Sequence, residues 1–115
     1  MLKNLKQSSS NEIIAKVSIH PESPWFSGHF HNEPILPGIA LLEMVFNSIR
    51  EFDDSSLKIS CIKKVRFKQV IRPNDNLKIV ATSDEKNPKT YYFNVMIGEK
   101  VACKGIMITD NAADE

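Results

Sequence analysis

The chain has 115 residues, enough for one domain and too few for a multidomain enzyme. At 42% hydrophobic and 25% charged it reads as an ordinary globular protein, neither disordered nor membrane-spanning. Lys and Arg (15) nearly balance Asp and Glu (14), and a formal charge of +1 gives no general attraction to nucleic acid.

The first residues, Met1 to Ser10, carry lysines but neither an apolar h-region nor a small-residue cleavage site. No secretory signal is expected there, no window approaches the ~18 apolar residues of a membrane span, and a cytoplasmic location is expected. Cys61 and Cys103 form no CxxC and have no nearby His pair, so both are read as reduced thiols. Residues 1–115 are taken as one domain with an ordered core over about 12–109 and flexible ends.

Residues 12–19 are β-rich and stop at His20-Pro21, which marks a strand. Residues 20–36 hold Pro21, Pro24, Pro34 and Gly28, a long irregular connection of the kind that usually carries function. Pro37-Gly38 then opens a helix over about 37–52, with proline at its favoured first position. Ile39, Ala40, Leu41, Leu42, Met44, Val45 and Phe46 are apolar nearly all round this cylinder, the pattern of a buried helix. From Leu57 the period becomes two: Leu57, Ile59, Cys61, Val65, Phe67 and Ile71 alternate with polar residues, as in a long half-buried strand. Arg72 to Asn76 is a turn cluster, and 77–83, 89–97 and 100–109 read as three further strands. Gly98-Glu99 joins the last two as a tight hairpin. One helix against an antiparallel sheet is an α+β arrangement.

Glu43 does not fit this pattern. It sits mid-helix among Ile39, Leu42, Met44 and Phe46. A carboxylate on such a face needs a partner, a shifted pKa or a cavity. A structural ion pair or a helix rim at a dimer contact accounts for it as well as chemistry does. The candidate partner is His29, in the segment Phe26-Ser27-Gly28-His29-Phe30 that feeds the helix. Flanking aromatics anchor that loop, whereas His20 and His31 read as surface residues. Gly38 lies where a helix presents unpaired N–H groups and partial positive charge, and it allows a ligand carbonyl close approach. Glu43 is five residues further on, about 7.5 Å along the axis. A donor for a carbonyl, a base and an acid around one small substrate suit proton chemistry next to a carbonyl. His29, His31 and Glu33 match no metal motif, and no cofactor is implied.

The run Phe26-Ser-Gly-His-Phe-His-Asn-Glu-Pro-Ile-Leu-Pro-Gly-Ile-Ala-Leu-Leu-Glu43 resembles the active-site motif of the FabA/FabZ-type 3-hydroxyacyl-[acyl carrier protein] dehydratases, enzymes of fatty acid synthesis with the hotdog fold. Val65 to Asp75 resembles the stretch after the helix in that family, and the resemblance runs over about 12–109. The family usually has a leading helix and strand, and these have little counterpart before residue 12. Two further departures are His31 where proline usually follows His-Phe, and Asn47 where a glutamine commonly follows the acid.

The resemblance implies a hotdog fold, with one central helix wrapped by a curved antiparallel sheet. It implies that His29 is the catalytic base, that Glu43 is the catalytic acid, and that the Gly38 N–H holds the thioester carbonyl. Glutamate at 43 is similar to the FabZ-like branch. Phe30, Pro37, Ile39 and Phe67 are expected to contact substrate. The product expected is a trans-2-enoyl thioester. The resemblance further implies a homodimer whose sites take side chains from both subunits, with a trimer of dimers as a possible higher assembly. Its partner is an acyl carrier protein bearing the 3-hydroxyacyl chain on phosphopantetheine. Residues 57–72 carry six cations and no acid. This is either a solvated edge or, with Lys63, Lys64, Arg66, Lys68 and Arg72, a docking face for that acidic carrier. A hotdog thioesterase using Glu43 to activate water, or a non-catalytic acyl-carrier binding module, are the rival readings.

Overall fold

A computed structural model describes residues 2–9, 11–20, 22, 36–52 and 56–111. The seven elements among these residues, in chain order, are β1 (Leu2–Ser9), β2 (Glu12–Ser18), α1 (Gly38–Phe52), β3 (Leu57–Phe67), β4 (Leu77–Ser83), β5 (Thr90–Ile97) and β6 (Lys100–Asn111). The strands form one antiparallel sheet in the order β1-β2-β4-β5-β6-β3. Six strands spaced about 4.8 Å apart are far wider than one helix. Yet α1 meets strands at both ends of that order, β1 and β3, as well as β2 and β4. The sheet must therefore curl around the helix.

The core lies between α1 and the inner face of the sheet. Alternate residues supply it: Ile13, Ala15 and Val17 from β2, Leu77, Ile79 and Ala81 from β4, and Tyr91, Phe93 and Val95 from β5. Helix positions 40, 41, 44, 45, 48 and 49 face them, a stripe at helical spacing. Ser48 is buried there, and its hydroxyl donates to the Met44 carbonyl at 2.9 Å. Gly105 on β6 lies where an added Cβ would stand 2.9 Å from Phe93 Cζ and 3.1 Å from Val65 Cγ2, so the close packing of those side chains excludes any larger residue.

Four expectations need correction. Residues 2–9 form a strand paired with β2 rather than a flexible end. At the other end Thr109 is buried, and its N–H and hydroxyl both donate to the Lys89 carbonyl, at 2.8 and 2.9 Å. The ordered strand therefore runs to Asn111. The helix is buried on one side only: Ile39 is 69% exposed and Glu43 is exposed, because one sheet covers half a cylinder. Finally, β3 is not a simple alternating strand. Its register with β6 shifts between Ile59 and Cys61 and again between Lys63 and Arg66. Each bulge adds a residue and reverses the facing of the residues after it. Lys64 takes up the second one with φ of 57°. As a result Ile59 and Ile62 pair with the inward Thr109 and Met107, whereas Cys61 pairs with Ile108. As an edge strand, β3 leaves Ile59, Cys61 and Phe67 exposed.

The turns are as the sequence suggests. Gly98 has φ of 59° in the two-residue link between β5 and β6. In the turn after β3, the Arg72 N–H donates to Asp75 Oδ2 at 2.8 Å and the Asp75 N–H to the Arg72 carbonyl at 3.2 Å.

Candidate active site

Helix α1 starts where the chain after β3 crosses its N-terminus. The Leu36 N–H donates to the Ile71 carbonyl at 2.7 Å, which ties the helix entry to residues 68–71. The Pro37 carbonyl accepts from Ala40 and Leu41 at 3.1 and 3.3 Å and closes the first turn. Phe67 leaves the β3 ladder inward, opposite Cys103, and the Lys68 and Gln69 amides both donate to the Ala102 carbonyl. This double contact ends the strand and turns 68–71 toward the helix.

Between these two segments lies a groove of about 410 Å³, in the size range of small-ligand sites. Leu36, Leu41, Phe67, Val70 and Ile71 give it apolar walls, and Lys68 and Gln69 stand at its polar side. Gly38 lines it at the helix N-terminus, where the first amides have no intrahelical acceptor. The Phe67 ring lies over Gly38 so closely that a Cβ there would be 2.7 Å from Phe67 Cζ and 2.9 Å from Cε1. Glycine here leaves room for the ring in this position.

Glu43 does not line this groove. Five residues at about 100° each place it roughly 140° round the axis from Gly38. It follows Ile39 by one turn on the exposed face. The apolar surroundings expected from its helical neighbours are absent in the single chain, because the bulk of those neighbours point to the sheet. The structure thus brings Gly38 and Phe67 together, does not place Pro37 among the residues lining the groove, and leaves Ile39 and Glu43 on the uncovered side. His29 and Phe30 lie outside the described residues, as do His31 and Glu33.

The basic stretch is divided between two faces. Tyr91, Phe93 and Val95 point inward, so Tyr92 and Asn94 point outward. Lys104 pairs with Asn94 and Arg66 pairs with Lys104, while Lys63 pairs with Ile106, itself opposite Tyr92. Lys63 and Arg66 therefore stand on the outer face, directly opposite residues sharing that face. Lys68 instead stands at the groove, and Arg72 lies in the following turn. Lys63, Lys64, Arg66, Lys68 and Arg72 are all exposed. Sequence reasoning missed Leu36, Leu41, Gln69, Val70 and Ile71 as lining residues, since only the contact between the helix entry and the crossing segment, distant in the chain, brings them together.

Known proteins resemble this chain in both sequence and fold. A model of the ApeI-like family, described as ApeI dehydratase, matches residues 5–106. The 3-hydroxyacyl-[acyl-carrier-protein] dehydratase FabZ of Paracidovorax citrulli is 30% identical over 118 aligned positions, covering 91% of this chain and 80% of that protein. FabZ of Syntrophobacter fumaroxidans is 31% identical over 77 residues, 60% of this chain, and the match spans about half of that relative, 52%. Among solved structures, the dehydratase heterocomplex ApeI:P from Xenorhabdus doucetiae superposes with a TM-score of 0.82 at 24% identity, covering 92% of this chain and 93% of that one. The last likeness establishes the hotdog fold. With the family model matching nearly its whole length, the chain belongs to the ApeI-like dehydratases.

Proposed function

We propose that this chain dehydrates 3-hydroxyacyl thioesters to trans-2-enoyl thioesters, with the acyl group carried on an acyl carrier protein. The observation that carries the reading is the apolar groove that opens on the Gly38 amide at the start of α1. An acyl chain fits its apolar walls. A thioester carbonyl at its end meets a backbone N–H and the positive end of the helix, which stabilise the enolate-like charge formed when the C2 proton leaves. His29 removes that proton, and Glu43 gives a proton to the departing 3-hydroxyl. Acid–base steps of this kind contribute about 10²–10⁴-fold each.

The facing of Glu43 supports a homodimeric site. Gly38 and Glu43 of one chain face different sides of α1, and on this reading the acid of each site is supplied by a second copy. Ile39, Ile59, Phe67 and Val70 are exposed apolar side chains near this helix face and edge strand. Being already partly covered, each would contribute only a part of the about 1.5–3 kcal/mol that burial of a fully exposed apolar side chain gives. A cytoplasmic setting is in keeping with two free cysteines.

The test is mass spectrometry of 3-hydroxyacyl carriers of several chain lengths incubated with the purified protein. Loss of water to the enoyl thioester is the expected result. Release of a free thiol would replace this reading with a thioesterase, and acyl-carrier binding without turnover would replace it with a binding module. Lys68 at the groove and the neighbouring cations favour docking of an acidic carrier. The kcat/KM for carrier-bound substrate should then fall more steeply with salt than that for small-thiol substrates. Equal salt sensitivity would remove the charged docking face.

A further inference from the structure

On the face of the sheet turned away from α1, a second pocket of about 260 Å³ opens beside the β3 bulge. Lys64, Lys104, Tyr92 and Asn94 line it, with Phe93, Gly105 and Ile106. Lys104 is flanked in register by Arg66 on one side and Asn94 on the other. Like charges directly opposite one another on neighbouring strands are unfavourable. Protection of an edge against aggregation explains cations on β3, but Lys104 belongs to β6, an interior strand of this sheet. Among the described residues, no acid lines the pocket and no ion pair neutralises Lys64, Arg66 or Lys104. The bulge sets Lys64, at φ of 57°, into the same pocket as Lys104. Tyr92 is 46% exposed, which leaves its ring and hydroxyl available, and Asn94 adds amide donors.

We propose that this outer pocket binds a phosphate group. The concave shape and clustered lysines suit a compact, multiply charged anion, which ammonium groups hold as point charges. The Asn94 amide and the Tyr92 hydroxyl offer neutral donors to its remaining oxygens. The shared chemistry is a phosphate, either free or borne by a nucleotide whose ring can lie on Tyr92. The site is separate from the Gly38 groove and does not depend on the dehydratase reading.

The experiment is a backbone amide NMR titration of the full chain with inorganic phosphate and, separately, ADP, each against sodium chloride at matched ionic strength. Saturable shifts at Lys64, Tyr92, Asn94 and Lys104 are expected with phosphate, and a Lys64→Gln, Lys104→Gln variant should weaken them at least about tenfold while its spectrum stays folded. Tighter binding of ADP, with shifts of the Tyr92 ring, assigns a nucleotide-borne phosphate; equal affinity assigns the phosphate alone. Shifts matched by chloride, shifts unchanged in the double variant, or a response only to an acidic carrier protein would each overturn the proposal.

Discussion

Glu43 shows how far a single residue can be read. Its helical neighbours are apolar, and from spacing alone it counts as buried; the fold instead turns it outward because the sheet reaches only one side of α1. It shares the exposed face with Ile39, an apolar side chain. Glu43→Gln and His29→Ala should each lower kcat by at least about 10²-fold with the fold retained. Wild-type-like turnover by either variant would remove its assigned role. Cys103 gives a stability test of the core. Burial pushes its thiol up from 9.0 to about 11. The unfolded chain ionises this thiol before the folded chain does, so its contribution to stability is complete below pH 9 and is lost as pH rises through about 11. Urea unfolding across that window should show a shallower alkaline decline for Cys103→Ala, by up to about 1.4 kcal/mol per pH unit. Parallel declines would contradict the burial argument.

At the scale of elements, the helix, the hairpin at Gly98 and strands β2, β4, β5 and β6 were legible because period, turn residues and caps agree along each segment. The bulges of β3 were not. Alternation is a local signal, and a bulge is fixed by what lies opposite, here the close packing of Gly105, Phe93 and Val65. Strand β1 escaped notice because Leu2–Ser9 is mostly polar and takes its order from pairing with β2. The groove was half legible: Gly38 marked one end of it, but its wall at Phe67–Ile71 arises from a tertiary crossing. That crossing yields a prediction. Gly38→Ala sets a methyl against the tip of the Phe67 ring, which is 54% exposed and can turn aside, so the cost should be below the about 1–3 kcal/mol of overpacking in a packed core. In a Phe67→Ala background the cost should largely vanish, as a double-mutant cycle by denaturant unfolding would show. The same cost in both backgrounds would mean that the ring does not define the space above Gly38.

At the scale of the molecule, one chain presents a helix with an exposed side, an exposed edge strand and a groove that no acid lines among the described residues. The proposed second copy about a two-fold axis would cover the helix side and the edge and bring Glu43 to the groove. This gives the account its most direct test. Inactive His29→Ala and inactive Glu43→Gln chains are unfolded together in equal amounts and refolded. Random pairing makes about half the dimers hybrid, each with one site built from two intact residues and one site lacking both. Dehydratase activity should return to roughly a quarter of the wild-type level. If His29 and Glu43 act within one chain, every site in every hybrid lacks one of them, and no activity returns at any mixing ratio.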